Sequence, residues 1–253
     1  DIPIIGSALT LAFVEAKLKE HRITPYSMVV AEGRKETLAG FNLEFIAVNH
    51  SIPDALAVVI RSKAGSILHT GDFKMDQLPL DGRITDLNSF ARLGDAGVDL
   101  ILVDSTNAEV PGFVASESDI VPVLDAVFLR AEGRIIVASF ASHVHRIQQI
   151  IDAAIICNRK VLVVGRSMQD NVNMAQDLGY LYAPDNVLIN VDDLRRLRDE
   201  QVVVVATGAQ GEPTSVLARI ANKDHRHVRV KAGDTVVLSA TPIPGNEIGR
   251  AHV

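Results

Sequence analysis

The apolar positions of this chain follow two different patterns, and the change from one to the other divides it. Ala8 to Glu20 has helical spacing with a charged face, and "YSMVVAEG" after it predicts a strand. Between Leu43 and Asp72 three short apolar runs, "LEFIAVN", "ALAVVIRS" and "GSILHTGD", are separated only by turn-length gaps, which predicts a meander of strands. "VDLILVDST", from Val98 to Thr106, predicts a further buried strand that ends in an acid and two hydroxyls. From about Ser116 the pattern becomes a strict alternation of helix and strand. Helices are expected over Ser116 to Ala131, from about His143, over Ser167 to Leu178 and from near Pro213, the proline suiting a first turn. The intervening strands are "RIIVASF", "KVLVVG", "QVVVVATG" and "DTVVLSA". That order is the mark of a parallel sheet flanked by helices, so two lobes are expected, with the changeover near residues 107–118.

Composition narrows the picture only a little. A 253-residue chain that is 47% hydrophobic can bury one large α/β core or two smaller ones. A formal charge of −6 argues against a protein coated in basic surface, while a local cationic groove stays compatible with it, so nucleic acid is neither implied nor excluded. The single cysteine, Cys157, lies in the apolar run "IIDAAIIC" and reads as a small buried hydrophobe. No disulfide can form within one chain, which fits a reducing cytoplasm. No apolar run reaches the roughly 18 residues of a membrane span, and no charged-then-apolar leader is present.

The opening "DIPIIGSALT" reads as the inside of a domain. The closing "EIGRAHV" is what a string resembling a common sequencing-library adapter would encode in frame. Residues 248–253 are therefore expected to be a non-native tail, and His252 is not counted as a ligand.

His50 and Asp72 are the first candidates for chemistry, because each follows an apolar strand directly and would emerge at a strand end. Imidazole is a good zinc ligand and a carboxylate can bridge two divalent ions. The alternative is that His50 caps a loop and Asp72 a turn. His69 lies three residues before Asp72, but on an alternating strand it points to the opposite side and reads as a structural histidine.

Seven strings in order, "HSIPDA", "HTGDFKMDQLPLDG", "LGDAGVDLILVDSTN", "FASHVHRIQQII", "GRSM", "TGAQGEP" and "TPIPGNE", resemble ribonuclease J, a family of the metallo-β-lactamase superfamily with a β-CASP domain. The resemblance extends over residues 1–247 and implies an α/β fold: a partial metallo-β-lactamase αββα sandwich over residues 1–115 and a β-CASP parallel α/β domain over 116–247. It implies that His50 and Asp72 are metal ligands and that Asp104 supports a ligand histidine from behind. It also implies two divalent metal ions, zinc being the expected metal, and hydrolysis of RNA phosphodiesters from the 5′ end, with endonuclease activity in some members. RNA is the implied partner, with a homodimer or tetramer and an RNA-degradation complex for the whole protein, and no membrane. Alternatives are a catalytically dead RNA-binding scaffold and another hydrolase on the same fold.

The superfamily's HxHxDH motif is expected upstream of residue 1. His143 and His145, and His225 and His227, do not replace it: Ile147 and Gln148 stand where the first pair needs Asp and His, and Arg229 and Val230 stand there for the second. A charged helix face and a solvated turn are the better readings for these pairs. The resemblance implies that Asn is usual where His143 stands, which puts a substrate contact there in doubt. In the second lobe the loops at strand ends offer Ser139, Ser142, Arg166, Ser167, Gly208, Gln210 and Gly211 as contacts to an RNA backbone. Against this stands helix capping by the serines and turn formation by the glycines.

Overall fold

The computed structural model describes residues 2–106, 108–113 and 115–240. The expected C-terminal tail lies outside the described residues. Two compact units are present, Asp1–Asp119 and Ile120–Val253.

The first unit begins with two short parallel strands, β1 (Ile4–Gly6) and β2 (Ser27–Val29), joined by helix α1 (Ala8–Glu20). Asp54 accepts the Leu9 amide at 2.7 Å and so satisfies a free N–H of the first helical turn. The main sheet has the order β3-β4-β5-β6-β7, from Lys35–Leu38, Phe41–Ala47, Leu56–Ser62, Gly65–His69 and Leu100–Leu102. β3 to β6 form an antiparallel meander, one strand longer than the sequence pattern suggests. β3 escapes notice because "KETL" is mostly polar, and its hairpin turn is Ala39-Gly40 (φ 51° and 85°) rather than the usual Asn-Gly.

β7 runs parallel to β6, so the chain crosses over between them through α2 (Leu87–Ala96), whose N-cap Asp86 accepts the Ser89 amide. Leu93 of α2 packs with Ile46, Val48, Ala57, Val59 and Leu68, placing the core on one face of the sheet. The strand expected to be buried at Val98 to Thr106 is instead exposed: Leu100 to Val103 all lie near half accessibility. β7 is the edge strand with β6 as its neighbour, and the described residues leave both its faces open.

The second unit is the expected parallel sheet, in the order β10-β9-β11-β8-β12. These strands are β8 (Ile135–Ala138), β9 (Lys160–Val164), β10 (Leu188–Ile189), β11 (Val202–Ala206) and β12 (Thr235–Leu238), with helices α3 (Val121–Arg130), α4 (Val144–Ile156), α5 (Arg166–Asp177) and α6 (Val216–Ala221). Every residue of β8 and β11 is buried, because helices cover both faces of a parallel sheet. Arg134, just before β8, is buried and bonded to Asp234, just before β12.

Helix starts differ from expectation in two places. The acidic turn at Glu117–Ile120 is 3-10, and α3 begins only at Val121, with Pro122 in its first turn. α6 begins at Val216 behind the N-cap Ser215, so Pro213 precedes the helix instead of opening it. Among the described residues no helix is long and apolar enough to cross a membrane.

Candidate functional site

β4 delivers the chain to His50 and β6 delivers it to Asp72. The two segments are tied by a bridge between Asn49 and Lys74, in which the Lys74 amide donates to the Asn49 carbonyl at 2.7 Å. Gly71 makes the turn with φ 63°, where a side chain would be strained and a Cβ would press on the Leu56 carbonyl at 3.3 Å. The result places His50 Nε2 3.8 Å from Asp72 Oδ2. That gap is too long for a hydrogen bond, yet two bonds of about 2.0–2.2 Å to one ion can span it.

The use of Nδ1 separates His50 from His69, His143 and His225. His69, His143 and His225 each use Nδ1 to accept a nearby backbone amide, from Gly71, Arg146 and Val228. His50 Nδ1 is buried with no hydrogen-bond partner among the described residues, and Nε2 faces Asp72 across the gap. Burial pushes the His50 pKa down; Asp72, Asp104 and Glu117 oppose this, Lys74 adds to it, and the pKa ends below its ordinary value. The ring is thus neutral near pH 7, the form a cation needs. An exposed carboxylate opposite a half-buried neutral imidazole fits a divalent ion, although among the described residues no group of three His, Cys, Asp or Glu side chains forms around one.

The pair opens into a cavity of about 660 Å³ lined also by Phe73, Met75, Val103 and Ser105. Asp104 lies on its wall, with Oδ1 accepting from the Thr106 hydroxyl at 2.7 Å and amide at 3.1 Å, and Oδ2 from the Phe73 amide at 3.4 Å. Those bonds, the Thr106 hydroxyl first, hold its pKa below the ordinary carboxylate range. Its carboxylate hydrogen bonds therefore go to Thr106 and Phe73, and none of these is the histidine contact expected of it. Lys74, which forms an ion pair with Glu117 beside the cavity, was missed by sequence reasoning. Its signal was only a cation two residues beyond the candidate aspartate.

In the second unit the other candidates stand at the carboxyl edge of the sheet. The Ser139 amide donates to Ala206, which sets the loop after β8 beside the loop after β11. α4 is capped by His143 and α5 follows Gly165 without a side-chain cap, so neither Ser142 nor Ser167 caps a helix. Ser139 Oγ is buried without a hydrogen-bond partner among the described residues. Gly208 (φ 121°) and Gly211 (φ 73°) form a turn closed by the Gly211 amide on the Gly208 carbonyl, and Gln210 within it is buried.

His143, the N-cap of α4, and His145, in its first turn, are buried and do not form a charged outer face. His225 is likewise buried, while His227 is exposed.

Residues 132–253 match the family model described as ribonuclease J, β-CASP domain. Over 247 residues the chain is 52% identical to ribonuclease J of Mycobacterium tuberculosis, a match covering 98% of this chain and 44% of that protein. It is 45% identical to ribonuclease J of Thermus thermophilus, covering 97% of this chain and 44% of that one. A crystal structure of a protein of unknown function from Enterococcus faecalis shares the fold, with a TM-score of 0.61 at 15% identity over 93% of this chain and 65% of that one. The chain thus spans less than half the length of these two curated relatives.

Proposed function

Since the chain belongs to the ribonuclease J family, matched along 98% of its length and carrying that family's β-CASP domain, we propose that the full-length protein is a metal-dependent ribonuclease. The substrate is RNA attacked from the 5′ end, with zinc as the metal and the cytoplasm as the setting. The observation that carries this reading is the uncommitted imidazole of His50 facing the Asp72 carboxylate at 3.8 Å.

His50 and Asp72 would hold divalent metal. Bound there, it supplies charge neutralisation at the attacked phosphate and lowers the pKa of a water. The neutral His50 ring offers a lone pair without first losing a proton, and Asp72 brings negative charge that stabilises a cation. Asp104, held in place by Thr106 and Phe73, adds a fixed carboxylate to the cavity wall and raises its negative potential.

On the second unit, Ser139, Ser142, Gly208, Gln210 and Gly211 are proposed to contact the RNA backbone. The Ser139 hydroxyl, which has no hydrogen-bond partner among the described residues, supports that assignment.

Incubation of the full-length protein with 5′-monophosphorylated RNA tests the reading. Cleavage is expected with divalent metal, and it should be abolished by a chelator, by H50A and by D72A. The 253-residue chain by itself should cleave little or nothing, since its described residues gather no third ligand. Cleavage that is indifferent to chelator and to both substitutions would overturn the proposal.

A further inference from the structure

Resting on the reading of His50 and Asp72 as metal ligands, we propose that Thr85 is a positioning residue for that pair, joining the two ligand-bearing segments through its hydroxyl. The residue is not among those lining the cavity that His50 and Asp72 share, and its hydroxyl bonds to their neighbours Asn49 and Lys74.

An antiparallel hydrogen-bonded pair exchanges two backbone bonds, one in each direction. At Asn49 and Lys74 the first is direct, from the Lys74 amide to the Asn49 carbonyl. Its counterpart runs through Thr85: the Asn49 amide donates to Thr85 Oγ1 at 3.0 Å, and that hydroxyl donates to the Lys74 carbonyl at 2.9 Å. One oxygen thus acts as acceptor for the His50 side and donor for the Asp72 side. Asn49 is the neighbour of His50, and Lys74 stands two residues beyond Asp72, so the hydroxyl sets the spacing of the ligands through short, stiff lengths of backbone.

The hydroxyl is itself held. Arg83 donates to the Val48, Pro53 and Ala55 carbonyls, and the Asp86 amide donates to the Ala47 carbonyl, pinning the Thr85 loop to the end of β4 on both sides. Thr85 and Asn49 are 6% and 4% exposed, so water cannot readily take over the lost bonds if the hydroxyl is removed. Valine preserves the branched shape while taking the hydroxyl away from the buried Asn49 amide and the part-buried Lys74 carbonyl; serine keeps both bonds.

The test is Co²⁺ titration of the full-length protein, followed by visible absorption, with thermal unfolding measured separately in chelator. T85V is expected to bind Co²⁺ roughly 10- to 100-fold more weakly than wild type, in the range typical for groups that orient metal ligands, and T85S to recover most of the affinity. T85V with wild-type affinity, whatever its melting temperature, overturns the proposal, as does T85S that binds as weakly as T85V. If T85V does not fold, T85C takes its place, with serine-like bulk and only weak hydrogen bonding. A folded T85C that matches T85S again overturns it. Wild-type protein that takes up no Co²⁺ sinks the metal reading itself, an outcome distinct from loss of the Thr85 effect alone.

Discussion

At the scale of single residues, His50 differs from His69, His143 and His225 in leaving Nδ1 without a hydrogen-bond partner among the described residues. The sequence placed His50 and Asp72 at strand ends, and the motif strings around them pointed to metal. Which histidines spend a nitrogen on their own backbone depends on turn geometry that no pattern of residue types reveals. The same holds for Asp104, whose bonds to Thr106 and Phe73 follow from how the chain turns after β7.

Asp76 gives a prediction of this kind. It is 3% exposed, and its carboxylate accepts the amides of Leu78 and Glu117, each at 2.9 Å. Burial pushes its pKa up, but the Glu117 and Leu78 amides outweigh burial and leave it lowered. A carboxyl lowered on folding stabilises the native state above its unfolded pKa of about 3.9 and loses that contribution as pH falls through the folded value. Stability measured against pH should therefore fall below about pH 4 in wild type and fall less steeply in D76N, which starts from a lower plateau. Parallel curves would remove Asp76 from this role.

At the scale of elements, most strands were legible, the short β2, β7 and β12 among them, and β1, β3 and β10 were not. β8, β9 and β11 are runs of β-branched residues buried on both faces, a pattern strong enough to read directly. β1, β3 and β10 have two to four residues each, and partners elsewhere in the chain hold them in place. The exposure of β7 was equally illegible, because its apolar residues read the same whether or not a neighbour covers them. Helix starts were misplaced where an acidic 3-10 turn precedes the helix and where a later serine supplies the cap.

One close approach at this scale is testable. Gly133 precedes β8, and a Cβ there would collide with the Gly233 carbonyl just before β12. G133A should therefore lower stability by about 1–3 kcal/mol in chemical denaturation. A change within about 0.5 kcal/mol, the usual range of surface substitutions, would show that the two turns move apart freely.

At the scale of the whole molecule, the two kinds of sheet were legible from the change in hydrophobic pattern, and the structure gives a largely antiparallel sheet in one unit and an all-parallel sheet in the other. The central claim is narrower: His50 and Asp72 share a cation. Anomalous diffraction from crystals of the full-length protein grown with Zn²⁺ addresses it most directly. The account predicts a peak within about 2.0–2.2 Å of both His50 Nε2 and an Asp72 carboxylate oxygen. Zinc bound elsewhere, with both side chains free of it, would contradict the account.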